Sequence, residues 1–326
     1  MVELYCADKG IKLEVIKMEY KNILFFSKKW NIKERRIRVL CSEGRIEGAK
    51  KIGKTWFIPE DAIKPLDRRF KKEDNLFHTP FNFELIEKKK EIIDSCRPFS
   101  SNIKKLLKEK LLVEWTYNSN AIEGNTLTLS ETKVVLENGI TIKGKPLKDH
   151  LEIINHKEAI EFIEELVEKG SNLNEYKIKA IHHLILKEID MQNAGKYRNE
   201  NVLISGAKHI PPIYINVPYE MQKLIEKYNE WDNLHPIIKA CYLHGEFVKI
   251  HPFIDGNGRT ARLLLNFELI KNGYPPVIIK NENRVEYYDS LDEAHTTNDY
   301  SNFIKIIISL LNESLDNYLF LLNKQI

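Results

Sequence analysis

The residues best suited to chemistry lie in one short run, His251-Pro-Phe-Ile-Asp-Gly-Asn-Gly-Arg-Thr-Ala-Arg262. Helical periodicity precedes it from Ala240 to Ile250 and resumes from Thr260 to Asn272, so the run is a loop joining two helices. Gly256 and Gly258 free the backbone to turn its N–H groups toward a common point. The start of the second helix adds the positive end of its dipole there, which makes a cradle for polyphosphate. Asp255 is a lone carboxylate beside that cradle and suits Mg²⁺, which takes one or two carboxylates and fills its shell with phosphate oxygens and water. Arg259 and Arg262 are three apart, share a helix face and can fork onto phosphates. His251 enters from the opposite end with a side chain whose ordinary pKa suits a general base. A base, a metal carboxylate, a phosphate nest and two arginines describe nucleotidyl transfer: an acceptor hydroxyl loses its proton to the base and attacks phosphorus.

Each residue alone has a plainer reading. A single histidine is usually structural, a Gly-Asn-Gly run is a common tight turn, and both arginines could be surface charges. Their joint occurrence decides the matter. The run resembles the Fic-domain motif His-Pro-Phe-x-Asp-Gly-Asn-Gly-Arg-x-x-Arg at every fixed position. That resemblance implies a protein that transfers AMP from ATP to a hydroxyl of a target protein, or of itself. It also implies His251 as base, Asp255 as Mg²⁺ ligand, and Gly256, Asn257 and Gly258 as the anion nest. Arg259 and Arg262 would be the phosphate clamps, and Phe253 the core anchor of the loop.

Two further segments are similar to parts of the same family. Lys196 to Pro212 resembles its flap hairpin, with Ile204, Ser205, Gly206, Ala207, Lys208 and His209 as the residues that would dock an extended target segment by strand addition. Ser119-Asn-Ala-Ile-Glu-Gly124 fits the family's inhibitory motif. Ser119 and Glu123 are four apart and so face one way on a helix. The resemblance implies that Glu123 pairs with an arginine otherwise reserved for the γ-phosphate, with Arg262 in that role. It also leaves open a reversed net direction, in which Glu123 positions a water that removes AMP. A change of assembly, a homodimer included, could relieve the inhibition. Tyr287 or Tyr288 would lie near the adenine.

Other metal and catalytic patterns fail. His244-Gly-Glu246 lacks a following Pro-Cys-x-x-Cys, there is no His-Glu-x-x-His, and His182 and His183 point to different faces of a helix.

The elements that must position these residues are mostly helical. Periodicity predicts helices over 84–95, 101–122, 130–138, 149–169, 174–188, 217–231, 235–249, 258–272, 286–295 and 300–323, with extended chain on both sides of Gly206. The expected class is mainly α: an all-helical Fic bundle with a small β-hairpin flap, preceded by a small winged-helix-like domain. The expected divisions are residues 18–67 for that domain, 75–145 for a helical segment carrying the inhibitory helix (105–124), and 146–326 for the catalytic core.

Charge separates the first domain from the rest. Lys21 to Lys72 carries 16 basic against 6 acidic residues, whereas residues 73–326 carry 31 against 37. Helical patterns over Lys21–Trp30 and Glu34–Glu43, a turn at Asn31, and a hairpin turning at Gly53-Lys54 follow the plan of a winged helix. The stretch from Ser27 to Pro59 resembles MerR/excisionase-like DNA-binding domains, which implies DNA as a second partner contacted through Arg35, Arg36 and Arg38. Met18 stands just ahead of it, making residues 1–17 a dispensable tail. Arg68 to Asp74 reads as a charged linker.

The chain has 326 residues, 43% hydrophobic and 30% charged, enough for a full core and inconsistent with disorder. Cys6, Cys41, Cys96 and Cys241 are widely spaced and read as free thiols. The start lacks a signal-peptide pattern, and Phe303 to Leu322 is interrupted by Lys305, Glu313 and Asp316. A cytoplasmic protein without a membrane span is the expectation.

Overall fold

The computed structural model describes residues 20–30, 32–46, 48–53, 55–60, 62 and 81–324, and the chain divides into two units, residues 1–75 and 76–326. The expected tail (1–17), the turn residues Asn31 and Lys54, and the linker 68–74 lie outside the described residues.

In the first unit, strand β1 (Tyr20–Asn22) leads into α1 (Ile23–Trp30) and α2 (Glu34–Ser42), followed by β2 (Lys50–Ile52) and β3 (Thr55–Pro59). The sheet order is β1-β3-β2, antiparallel throughout. Lys50 pairs with Phe57 across the expected hairpin, and Gly53 takes a positive φ of 61° at its turn. The strand β1 was not expected, since the apolar pattern suggested helix from Lys21. Tyr20 and Lys21 instead pair with Pro59 and Ile58, and the Asn22 carboxamide accepts the Phe25 N–H at 3.0 Å. Asn22 thus ends the strand and caps the helix. Ile23, Phe26, Trp30, Ile37, Leu40, Ile46 and Ile58 form this unit's own core.

The second unit is helical: α3 (Glu84–Ser95), α4 (Ser101–Ile122), α5 (Leu129–Asn138), α6 (Leu147–Glu168), α7 (Glu175–Leu186), α8 (Val217–Glu230), α9 (Pro236–Ile250), α10 (Asn257–Lys271), α11 (Arg284–Thr297) and α12 (Ser301–Leu321). Helices α9 and α10 pack closely and form its centre, with α6, α7, α8, α11 and α12 around them. Both are buried on nearly every face, and the polar side chains they bury, Arg259, Arg262 and Asn266 among them, are held by partners inside the unit. The boundaries fall close to those expected from periodicity. Caps account for several of them: Ser100 accepts from Ile103 N–H, Asn174 from Lys177 N–H, and Thr128 with Glu131 forms a reciprocal capping box at α5.

The segment 197–217 departs from expectation. A turn is present, with Ala207 N–H bonding to Ile204 C=O at 3.2 Å, but the chain on either side of Gly206 forms no strand ladder. Several of its polar groups have other partners. The Lys208 and His209 amides bond to Asp292, the Tyr214 amide bonds to the Asn201 side chain, and Pro211 and Pro212 have no N–H to give. Among the described residues the sheet lies wholly in the first unit, and no helix is long and apolar enough to cross a membrane.

The contact between α9 and α12 depends on Gly245. A Cβ built there would lie 2.1 Å from Cε1 of Tyr300, a buried ring whose hydroxyl bonds to Glu246. Gly245→Ala should therefore destabilise the core by about 1–3 kcal/mol through overpacking. A lowered denaturant midpoint at unchanged slope would register it, and an unchanged midpoint would refute it.

Candidate active site

The loop between α9 and α10 brings the motif residues together. His251 ends α9 in the left-handed region (φ 50°, ψ 60°), unusual for a residue with a Cβ. Arg198, 4% exposed, holds it there: its Nε donates to His251 C=O at 2.8 Å, and its backbone N–H donates to Pro252 C=O at 2.9 Å. The same guanidinium also bonds to the carbonyls of Glu200 and Pro212, tying the base of the flap to the loop. Burial pushes the His251 imidazole down to about 4, so at neutral pH it is unprotonated and able to accept a proton.

Asn257 sits at the first position of α10 with its side chain turned inward. It accepts from Phe253 N–H at 3.0 Å and donates to Phe253 C=O at 2.8 Å, closing the loop on itself. This leaves its backbone amide as the group it can offer an anion. Phe253 is fully buried and stacks on His182 at 3.6 Å with the planes nearly parallel. His182 accepts the Gly195 N–H at Nδ1, so its Nε2–H donates to Asp255 C=O at 2.8 Å. Burial lowers its pKa to about 4, keeping it in this neutral form. His182 is thus a positioning residue for the loop, a role its sequence neighbourhood does not signal.

Asp255 points its carboxylate to solvent with the side chain half exposed (52%). Burial of the rest of the residue raises its pKa, but the Arg259 charge and the Gly256 N–H outweigh this and hold the carboxyl below its usual range. Arg259 is 2% exposed and bridges two acids, Asp255 at 3.4 Å and Glu152 of α6 at 3.0 Å. Like Arg198 and His182, Glu152 is not signalled by local sequence; only the fold brings α6 against α10.

Arg262 is buried on the same face. Its Nε donates to Ser119 Oγ at 3.0 Å, and its Nη2 donates to Ser119 C=O and to Glu123 Oε1, both at 2.7 Å. Burial works against its charge, but the Glu123 carboxylate more than compensates and raises its pKa above the ordinary value. Glu123 Oε1 also fills the space over Gly258: a Cβ at that glycine would stand 2.3 Å from it and 3.0 Å from Arg262 Nη1. That Nη1 is buried with no hydrogen bond, a donor left over at the mouth of the glycine cradle. A carboxylate therefore occupies the position to which glycine, helix N-terminus and arginine all direct an anion.

The end of α4 that carries Glu123 is firmly fixed. Its last turns bury Trp115, Thr116, Ser119, Asn120, Ala121 and Ile122. Beyond it, Asn125 donates to Glu152 at 2.9 Å and Thr126 donates twice to Asp149. Tyr287 is buried and bonds to His244 at 2.9 Å, whereas the neighbouring Tyr288 is partly exposed. The surface of the flap turn carries Leu203 and Ile210, 81% and 70% exposed.

Histidines that burial keeps neutral, His182, His251 and His295 among them, give the unit an acid sensitivity. Burial depresses His182 and His251 to about 4 and His295 to about 3, so between pH 6.5 and 4 the unfolded chain binds more protons than the folded one. Their contribution is complete above about pH 6.5 and is lost as pH falls toward 4. Thermal scans from pH 7 to 4.5 should show a falling midpoint, with a shallower fall in His182→Gln; an equal slope in both proteins would contradict this.

The Fic/DOC family model matches residues 172–269, which include α7, the flap and the whole motif loop. Protein adenylyltransferase Fic of Nematostella vectensis is 36% identical over 241 residues, covering 72% of this chain and 55% of that protein, and the Culex quinquefasciatus protein of the same name is 35% identical, covering 73% and 47%. The chain thus spans about half the length of the curated relatives it matches. A solved Fic domain containing signaling protein from Bacteroides thetaiotaomicron superposes with a TM-score of 0.68 at 31% identity, covering 74% of this chain and 99% of that one. Fic-1 from C. elegans superposes at 0.67 with 29% identity, covering 74% and 72%. With its motif loop complete and a relative matched over nearly its entire length, the chain belongs to the Fic/DOC family.

Proposed function

We propose that the chain is an autoinhibited protein adenylyltransferase that moves AMP from ATP to a hydroxyl side chain of a target protein. The observation that carries this reading is the Glu123 carboxylate bonded to Arg262 over Gly258, an anion of the chain's own in a cradle suited to phosphate. In the transfer, unprotonated His251 accepts the proton of the acceptor hydroxyl. The hydroxyl oxygen bonds to the α-phosphorus, the bond from that phosphorus to the α,β-bridging oxygen breaks, and pyrophosphate leaves. The backbone amides of Asn257 and Gly258 and the Arg259 and Arg262 guanidiniums orient the phosphates and offset their charge.

Mg²⁺ fits this site through Asp255, whose half-exposed carboxylate is open to a cation that completes its shell with phosphate oxygens and water. When bound it would supply further neutralisation of phosphate charge. With Glu123 in place Arg262 is taken, so ATP lacks a γ-phosphate partner. The reverse activity, in which Glu123 positions a water to release AMP from a modified protein, uses the same residues; loss of AMP release on Glu123 substitution would favour it.

Labelling with α-labelled ATP and Mg²⁺ tests the reading. Glu123→Gly should label protein strongly, the unsubstituted chain weakly, and His251→Ala in the Glu123→Gly background should lose about 10²-fold or more. Absence of label from Glu123→Gly with every nucleoside triphosphate would sink it.

A second reading concerns the first unit. Its α2 presents exposed Arg35 and Arg38 and partly exposed Arg36 beside a small sheet, and Arg38 is paired with Glu34 at 2.8 Å. The basic excess of this region supports contact with duplex DNA, through which the chain could act as a regulator or bring the transferase to DNA-associated targets. The full chain should then retard duplex DNA at low salt and release it as salt rises, with Arg35→Ala/Arg36→Ala weakening binding. Indifference to DNA at low salt would remove this reading.

A further inference from the structure

Asp292 lies on α11, one helical turn beyond Tyr288. Its Oδ1 accepts two backbone amides from the flap, Lys208 N–H at 2.8 Å and His209 N–H at 3.0 Å. The His209 ring is anchored too, with Nε2 at 2.8 Å from Lys249 C=O, two residues before His251. The limb of the flap after Gly206 is therefore fixed at two amides by Asp292 and at a side chain by α9, and it continues into Pro211 and Pro212, which have no N–H. On the limb before Gly206, the amides of Val202, Leu203 and Ile204 bond to no other group of the described residues. A strand added to the flap needs an edge held still and donors not already spent. The first limb has the donors, and Asp292 supplies the stillness through the second.

We propose that Asp292 is a positioning residue for target docking: it pins the far limb of the flap to the helix that borders the nucleotide site, leaving Val202 to Ile204 as the edge offered to an extended, hydroxyl-bearing segment. This rests on the transferase reading and adds to it a residue outside the motif loop. Removing the carboxylate frees two amides and loosens the edge while leaving the phosphate cradle untouched. Loss of orientation alone can cost a large factor in rate.

The test uses the full chain and two readouts. Hydrogen exchange of Asp292→Ala should accelerate at Lys208 and His209 by about tenfold, the worth of one or two net hydrogen bonds. Asp292→Asn, which keeps the acceptor oxygen, should stay near the unsubstituted rate. In the Glu123→Gly background, AMP transfer to unfolded casein should fall about tenfold or more with Asp292→Ala while ATP affinity holds, and Asp292→Asn should restore most of it. Unchanged exchange at the two amides overturns the anchor. Faster exchange with undiminished transfer overturns the docking role. If Glu123→Gly itself transfers nothing, the transferase reading has failed, and the exchange experiment still decides whether Asp292 holds the flap.

Discussion

A buried guanidinium must have an anion beside it, and Arg262 makes that requirement the organising constraint of the site. Only 3% of it is exposed, so it cannot be neutralised and cannot rely on water. Ser119 satisfies two of its donors with neutral oxygens, but the charge itself is met by Glu123. Any phosphate that binds over Gly258 takes the place of that carboxylate, because the two cannot share the space. The alternatives are exclusive for electrostatic and steric reasons at once. The same side chain therefore serves as the element that stabilises the closed arrangement and as the element that would recognise substrate.

The remaining parts of the site keep that contest local. Helices α9 and α10 are core helices, so the loop between them starts and ends on rigid supports. Arg198 fixes His251 in a left-handed backbone conformation, His182 fixes Asp255 and Phe253, and Asn257 closes the turn. None of these bonds involves Glu123. Replacing the carboxylate by phosphate thus displaces the Glu123 side chain while the motif loop stays in place. The buried last turns of α4 and the bonds from Asn125 and Thr126 to α6 hold the backbone from which that side chain projects.

Arg259 shows how the two ends are joined. It is shared between Asp255 in the loop and Glu152 on α6, and Glu152 in turn accepts from Asn125, two residues after Glu123. Charge alternates from Asp255 through Arg259 to Glu152, and the two buried members, Arg259 and Glu152, need each other most. A nucleotide that brought additional negative charge to Arg259 would compete with Glu152 as well as with Asp255. Such shared arginines are harder to vary than isolated surface pairs, whose loss costs little.

Much of this was legible in the chain itself. Helical periodicity placed most helices to within a few residues, and caps such as Ser100, Thr128 and Asn174 set the starts of three of them, because both signals are local and depend on spacing of only three or four residues. The motif loop could be read for the same reason: His251, Asp255, the glycines and both arginines are close in sequence, and their proximity does not depend on the fold. Ser119 and Glu123 were recognisable as a pair on one helix face. What only the tertiary structure decided are the contacts that span distance: Arg198 on the loop carbonyls, His182 under Asp255, Glu152 on Arg259, and Asp292 on the flap amides. The flap is a turn with borrowed partners because Asp292, far along the chain, competes for amides that local pattern assigns to a strand. Strand β1 formed because β3 offered it an edge. A residue's chemical type is written in the sequence, but the partner that satisfies a buried charge or an unpaired amide is set by which helices pack together, and no local pattern encodes that.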